Sequence, residues 1–327
     1  MIDSYNRDIN YLRVSITDRC NLRCRYCMPK EGVSLIGHDD ILRYEEILRV
    51  VNAAIDLGLV KVRVTGGEPL IRRGVLEFLR KLTAFSQIQE VTLTTNGILL
   101  EETAEELWNT GIKRLNVSLD SLDSDKYAQI TGGGGLQKVL RGIRKAQRVG
   151  FEPIKINVVV IKDINDNEIL DFADLTLKEP YQVRFIELMS LGYTASGESA
   201  YVSNENVMQK IKSKYGLVPM ESRGASDGPA DVYRIKGATG EIGFISSGDT
   251  HLCKTCNRIR LTADGYLRAC LLSDQETDIR SVLRSGCSDS ELKRIISMAI
   301  KNKSRDRASA HERNIKKCVK PMNAIGG

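Results

Sequence analysis

Six short runs rich in β-branched residues constrain the fold of this chain more than any other feature. They read YLRVSIT from Tyr11, VKVRVTGGEP from Val60, VTLTTNG from Val91, RLNVSLD from Arg114, IKINVVVIK from Ile154 and VRFIELM from Val183. Each is closed by polar or glycine-rich residues and followed by a segment with apolar residues at helical spacing. Examples are Ile47, Leu48, Val51, Ala54 and Ile55, then Leu136, Val139, Leu140 and Ile143. A parallel strand needs a crossover connection, so this alternation predicts parallel βαβ units. Six units fall short of the eight of a closed barrel. The expected fold is α/β, a partial (β/α)6 TIM-type barrel, with a doubly wound sheet as the alternative.

From Gly192 to Gly237 the alternation stops, and SLGYTASGES and ESRGASDGPADVY read as loops. A chain of 327 residues suits one large domain and one small one. The expected division is a core over residues 1–220 and a smaller C-terminal α+β domain over 221–327. The stretch from Lys301 to Gly327 sets Lys301, Lys303, Arg305, Arg307, Arg313, Lys316, Lys317 and Lys320 against Asp306 and Glu312, and reads as a solvated or disordered tail.

No segment approaches the roughly 20 consecutive apolar residues of a membrane span, and the start, MIDSYNRDINYLRVSI, is polar. No membrane partner and a cytoplasmic location are therefore expected. The formal charge of +6 suits an anionic small molecule or a weak nucleic-acid contact and does not decide between them, whereas 6% aromatic residues and no base-stacking motif argue against nucleic acid.

Six of the eight cysteines fall into two groups of three, Cys20/Cys24/Cys27 and Cys253/Cys256/Cys270. In a chain of this size such clusters point to metal rather than to a disulfide framework. Thiolates suit zinc or iron–sulfur. A structural zinc normally takes four ligands; His38 could complete the first group and His251 the second. The other reading is that each group holds an iron–sulfur cubane with one iron left open. Cys287 and Cys318 belong to neither group and read as ordinary thiols.

In parallel barrels chemistry collects at the C-terminal strand ends. The first cysteine group follows the first run; Gly66, Gly67, Glu68 and Pro69 follow the second; Thr94, Thr95, Asn96 and Gly97 the third. Ser118 and Asp120 close the fourth run, Glu187 and Met189 the sixth. One mouth is expected to hold them all. No G-x-x-x-x-G-K-[ST] occurs, and TGGGGLQK at 131–138 lacks its lysine spacing, so any triphosphate must be met by side chains. Arginine forks suit phosphate oxygens, and Arg258 and Arg260 share one strand face just after Cys256.

The spacing C-x3-C-x2-C with Tyr26 before the last cysteine, followed by GGEP, resembles the radical S-adenosylmethionine (SAM) superfamily. LRVSITDRCNLRCRYCMP, VRVTGGEPL, TTNG, NVSLDSL, RFIELM, CNRIRLTADGYLRACL and the terminal GG are similar to the GTP 3′,8-cyclases of molybdenum cofactor (molybdopterin) biosynthesis, from about residue 7 to 327.

That resemblance implies a radical SAM barrel whose Cys20, Cys24 and Cys27 hold a [4Fe–4S] cluster, with SAM on its open iron and Tyr26, Gly67, Ser118 and Met189 contacting SAM. It implies a second [4Fe–4S] cluster on Cys253, Cys256 and Cys270, with GTP met by Arg13, Arg63, Thr94, Lys155, Arg258, Ile259 and Arg260. The implied reaction is that of a lyase. A 5′-deoxyadenosyl radical takes the 3′ hydrogen of GTP, and ring closure gives (8S)-3′,8-cyclo-7,8-dihydroguanosine 5′-triphosphate. Gly326 and Gly327 are implied to enter the barrel and assist. An electron donor, a downstream cyclic pyranopterin monophosphate synthase, and a monomer or homodimer complete the expectation. The alternatives are a peptide-modifying radical SAM enzyme with an auxiliary cluster and a non-catalytic zinc or nucleic-acid-binding protein. Leu252 stands where an aromatic residue is expected before Cys253.

Overall fold

The computed structural model describes residues 1–29, 31–189, 200–221, 228–246, 253–306, 318 and 320–326. All six expected strands form: β1 (Tyr11–Ser15), β2 (Lys61–Thr65), β3 (Glu90–Thr95), β4 (Arg114–Ser118), β5 (Ile154–Val160) and β6 (Gln182–Glu187). They pair in sequence order and in parallel. The helices between them are α1 (Tyr44–Ile55), α2 (Val75–Thr83), α3 (Leu100–Asn109), α4 (Ser124–Thr131), α5 (Leu136–Val149) and α6 (Ile169–Lys178). Side chains alternate across a strand. Val62, Val64, Leu93, Leu115, Val117, Ile156 and Phe185 join Ile47, Val51, Phe78, Leu107, Val139, Ile143 and Phe172 in one apolar core. The other strand face carries the polar residues that build the site.

The sheet does not stop at six strands. Beyond residue 200, in the stretch read as loop, lie α7 (Asn204–Lys212), β7 (Leu217–Pro219) and β8 (Asp231–Ile235). Ser203 caps α7 by accepting from the Asn206 N–H at 3.2 Å. β9 (Glu241–Ile245) is parallel to β6, and β10 (Arg258–Leu261) is parallel to β1. β11 (Tyr266–Arg268) returns from β10 as a hairpin around Asp264–Gly265, and β12 (Glu276–Asp278) follows. The order is β12-β11-β10-β1-β2-β3-β4-β5-β6-β9-β8-β7. Strands from beyond residue 220 thus extend both edges of the central sheet. Five-residue runs such as EIGFI are too short to be told from loop by periodicity alone.

Electrostatics reports the curvature. Arg184 on β6 feels Arg63 on β2 and Tyr11 on β1. In a flat sheet these would lie roughly 19 to 24 Å away, at about 4.8 Å per strand. Only a sheet curled on itself brings them together, as in a partial barrel.

The basic C-terminal stretch is not uniformly solvated. Lys303 is 3% exposed, and a four-residue helix, Met322–Ile325, precedes Gly326. Arg307, Arg313, Lys316, Lys317, His251, Leu252 and Gly327 lie outside the described residues. No helix among the described residues is long and apolar enough to cross a membrane.

Candidate active site between two cysteine groups

The first cysteine group follows the C-terminal end of β1. Its turn closes through Cys27 N–H and Met28 N–H donating to the Cys24 carbonyl at 2.9 and 3.2 Å. Cys20 Sγ accepts from Leu22 N–H at 3.4 Å and from Asn96 Nδ2, of TTNG, at 3.8 Å. Burial, then Asp120 and the other two thiols, push the Cys24 thiol well above its usual range. Burial and Cys20 raise Cys27 to about 12, against the backbone N–H of Asn323. Three thiols crowded beside an acid hold their protons until a cation is supplied.

GGEP braces this loop from β2. Gly67 N–H donates to Thr17 O at 2.7 Å and Glu68 N–H to Arg19 O at 2.8 Å. A Cβ on Gly67 would stand 2.2 Å from Arg19 O, so only glycine permits this approach. If the first group holds the iron–sulfur cluster that the resemblance implies, Gly67→Ala is expected to lose its iron. Iron counting after anaerobic reconstitution checks this, with thermal unfolding reporting that the barrel still folds; full iron content would contradict it. Glu68 is fully buried and accepts from Leu70 N–H at 3.0 Å, Thr95 Oγ1 at 2.9 Å and Asn96 N–H at 2.7 Å. Burial outweighs these donors and lifts its carboxyl to about 7. Tyr26 Oη donates to Asp120 Oδ2 at 2.7 Å, and Asp120 Oδ1 accepts from Val159 N–H at 2.9 Å, tying the cysteine loop to β5.

The second group lies at the other end of β1. Cys253 and Cys256 precede β10, which runs parallel to β1, and Cys270 follows β11, which runs back. Asn10 N–H and Tyr11 N–H both donate to Asn257 O at 3.2 Å. β1 has five residues, so roughly 16 Å of strand, at about 3.3 Å per residue, separates the groups. The electrostatics is inverted relative to the first group. Burial raises the Cys256 thiol, but Lys303 and Arg258 outweigh it and bring it to about 6.

Among the described residues, no three or more His, Cys, Asp or Glu side chains are arranged around a single metal ion. His38 sits exposed in the short turn His38–Asp40. The Cys3His zinc reading of the first group therefore gains nothing from the fold, and His251 lies outside the described residues. Thiolates spread over a multi-iron cluster need not meet at one point, and a set of three cysteines fits such a cluster with one iron left for another ligand.

Between the two groups the inward strand face is cationic. Arg260, Arg13 and Arg63 are register partners across β10, β1 and β2. Thr94, Asn116 and Lys155 continue the face across β3, β4 and β5, and Asn157 sits opposite Arg184 of β6. Arg184 is 1% exposed and, among the described residues, donates only to amides: Nη2 to Asn116 Oδ1 at 2.6 Å, Nε and Nη2 to Asn157 Oδ1 at 2.9 and 2.7 Å. Burial and neighbouring cations lower Lys155 to about 6, Arg184 to about 9 and Arg260 to about 10. Thr94 Oγ1 and Tyr11 Oη are buried with no hydrogen-bond partner among the described residues. Desolvated like charges of this kind are costly until an anion joins them.

The structure thus brings Arg13, Arg63, Thr94, Lys155 and Arg260 onto one face. Arg258 is paired with Tyr11 at the edge of that face. Ile259 alternates to the opposite side and belongs to the apolar core, leaving only its backbone toward the site. Ser118 ends β4, and Met189 packs with Ile325 and Cys318. Gly326 is buried, and its carbonyl accepts from Arg260 Nη1 at 2.7 Å. Sequence reasoning passed over Arg184, Asn116, Asn157 and Tyr11. Strand alternation from Arg13 and Lys155 was the signal that could have found them.

Residues 14–176 match the Radical SAM superfamily, and residues 181–309 match Molybdenum Cofactor Synthesis C. The GTP 3′,8-cyclase of Thermodesulfovibrio yellowstonii is 47% identical over 329 residues, covering 100% of both chains. That of Moorella thermoacetica is 47% identical over 327 residues, again covering 100% of both. Among solved structures, Streptococcus suis SuiB bound to S-adenosylmethionine has a TM-score of 0.57 at 17% identity, covering 86% of this chain and 66% of that one. The likeness to SuiB concerns the fold alone. With two curated relatives alike along the whole chain, a radical SAM core and the matching C-terminal segment, this chain belongs to the GTP 3′,8-cyclase family of radical SAM enzymes.

Proposed function

We propose that the chain converts GTP to (8S)-3′,8-cyclo-7,8-dihydroguanosine 5′-triphosphate, with residues 1–220 generating the radical and residues 221–327 carrying a second [4Fe–4S] cluster. The observation that carries the reading is the cationic face lying between two three-cysteine groups at opposite ends of β1. When bound, the first cluster and SAM supply a 5′-deoxyadenosyl radical able to remove the 3′ hydrogen of the nucleotide.

The chain's own residues do the rest. Cys20, Cys24 and Cys27 hold the first cluster; Tyr26, Gly67, Ser118 and Met189 line the SAM side. Cys253, Cys256 and Cys270 hold the second. Arg13, Arg63, Lys155 and Arg260, with the buried Arg184, meet the triphosphate in place of a phosphate loop. Thr94 offers a buried hydroxyl, and Arg258 and the Ile259 backbone face the second group's side of the nucleotide. A curled sheet with an apolar outer layer keeps water from a reactive intermediate. A low-potential electron donor and an enzyme that consumes the cyclised nucleotide, a cyclic pyranopterin monophosphate synthase, complete the reading.

Reduced holoenzyme given SAM and GTP should form the cyclic 7,8-dihydro nucleotide, detected by mass spectrometry. SAM cleavage without any such nucleotide, coupled instead to modification of a peptide, would favour the peptide-modifying alternative. The tail takes part through Gly326, at φ +71°, where a Cβ would stand 2.8 Å from Ser15 Cβ and 3.0 Å from Thr65 Cγ2. With Gly327 it forms the end that assists the reaction. Gly326→Val should therefore depress cyclisation about tenfold or more while GTP affinity changes less than about threefold, since positioning and not charge is lost. Unchanged turnover would refute a role for the tail.

A further inference from the structure

Two buried cations grip the backbone around the second cysteine group, and neither belongs to its loops. Arg7, 7% exposed, donates Nη1 to Cys253 O at 2.7 Å and Nη2 to Ser304 O at 2.8 Å. Its charge is balanced by Asp3 Oδ2 at 2.6 Å. Lys303, 3% exposed, donates Nζ to Arg258 O at 3.0 Å and also to Ala269 O. Those carbonyls belong to the residue two beyond Cys256 and to the residue just before Cys270.

The difference between the two cations is informative. Among the described residues Lys303 has hydrogen bonds to carbonyls but no ion pair with a carboxylate. Carbonyl dipoles satisfy its protons without cancelling its charge, and an uncompensated buried ammonium is costly. The two carbonyls it grips flank Cys256 and Cys270, which sets the ammonium beside the second cysteine group. The ammonium is therefore built to face a negative group on the cysteines.

We propose that Lys303 is the positioning residue and built-in counter-charge of the second cluster, fixing the backbones beside Cys256 and Cys270 and favouring the more negative, reduced state of what they hold. The proposal rests on the second-cluster reading above. Reduction here is the gain of one electron from the reductant, with no proton or ligand moved, so the effect of Lys303 is a shift in potential.

The test is an anaerobic redox titration of the holoenzyme with dithionite, followed by EPR, in the unmodified chain, Lys303→Met and Lys303→Arg. The second cluster is identified as the signal that responds to GTP. Lys303→Met should lower the reduced-to-oxidised ratio at a fixed potential about tenfold, equivalent to about 59 mV for one electron, while Lys303→Arg restores it to within about threefold. If Lys303→Met sheds iron from the second group only and Lys303→Arg keeps it, the charge is again what matters. An unshifted potential in fully loaded Lys303→Met overturns the proposal, as does loss of iron from both variants, which marks a packing role. Zinc, or no iron, on the second group of the unmodified chain would instead overturn the cluster reading itself.

Discussion

Cys24→Ala should reduce SAM cleavage to background, whereas Cys256→Ala should keep measurable cleavage and lose the cyclised nucleotide altogether. The two cysteines lie beyond opposite ends of β1, a five-residue strand of roughly 16 Å at about 3.3 Å per residue. Cys24 anchors the turn that GGEP and Asn96 brace, beside the expected SAM contacts Tyr26 and Gly67. Cys256 sits below the cationic face, next to Arg258 and Lys303. Under the proposed reading, losing the first removes the means of starting the reaction, and losing the second removes the floor against which the nucleotide is held. Parallel assays of 5′-deoxyadenosine and of the cyclic nucleotide separate the two. Equal loss of both activities in both variants would contradict a division of labour between the groups.

GTP affinity is expected to fall at least about 30-fold in Lys155→Met and in Arg260→Leu, from the loss of about 2 kcal/mol or more when one partner of a buried charge pair is truncated. Guanosine, which lacks the triphosphate, should bind all three chains within about threefold, a contrast that isolates the charge. Lys155 also gives the affinity a pH dependence of known sign. Burial first, then Arg184, lower its ammonium to about 6, so above that pH the ligand-free lysine is largely neutral. A triphosphate favours the charged form and raises the value, so binding takes up a proton between about 6 and the new, higher value. Affinity should therefore strengthen as pH falls toward about 6 and level off below it. Titration calorimetry in buffers of different ionisation enthalpy measures that uptake, and Lys155→Met should remove it. Identical uptake in both chains would sink this assignment.

Much of this architecture is legible in the sequence where local chemistry decides it. The six central strands are written in β-branched runs, and both cysteine groups in their spacing. The alternation of Arg258 and Arg260 already places them on one strand face. What depends on pairing between distant segments is not legible in the same way. Nothing local announces that Arg258–Leu261 lies parallel to Tyr11–Ser15, yet that pairing sets the second cysteine group at the opposite end of the strand from the first. Arg184 is one arginine in a hydrophobic run, and its burial against Asn116 and Asn157 depends on the curl of the sheet. Lys303 stands among basic residues that read as a solvated tail, and only its depth and its two carbonyl partners set it apart.

In the proposed reading two separate iron–sulfur clusters serve two different ligands. Anaerobically reconstituted protein, analysed for iron, sulfide and zinc and then followed by EPR as SAM and GTP are added in turn, tests it most directly. About eight irons per chain are expected, four for each cluster, with SAM perturbing one signal and GTP the other. Zinc without iron, or a single signal that answers to both ligands, would contradict it.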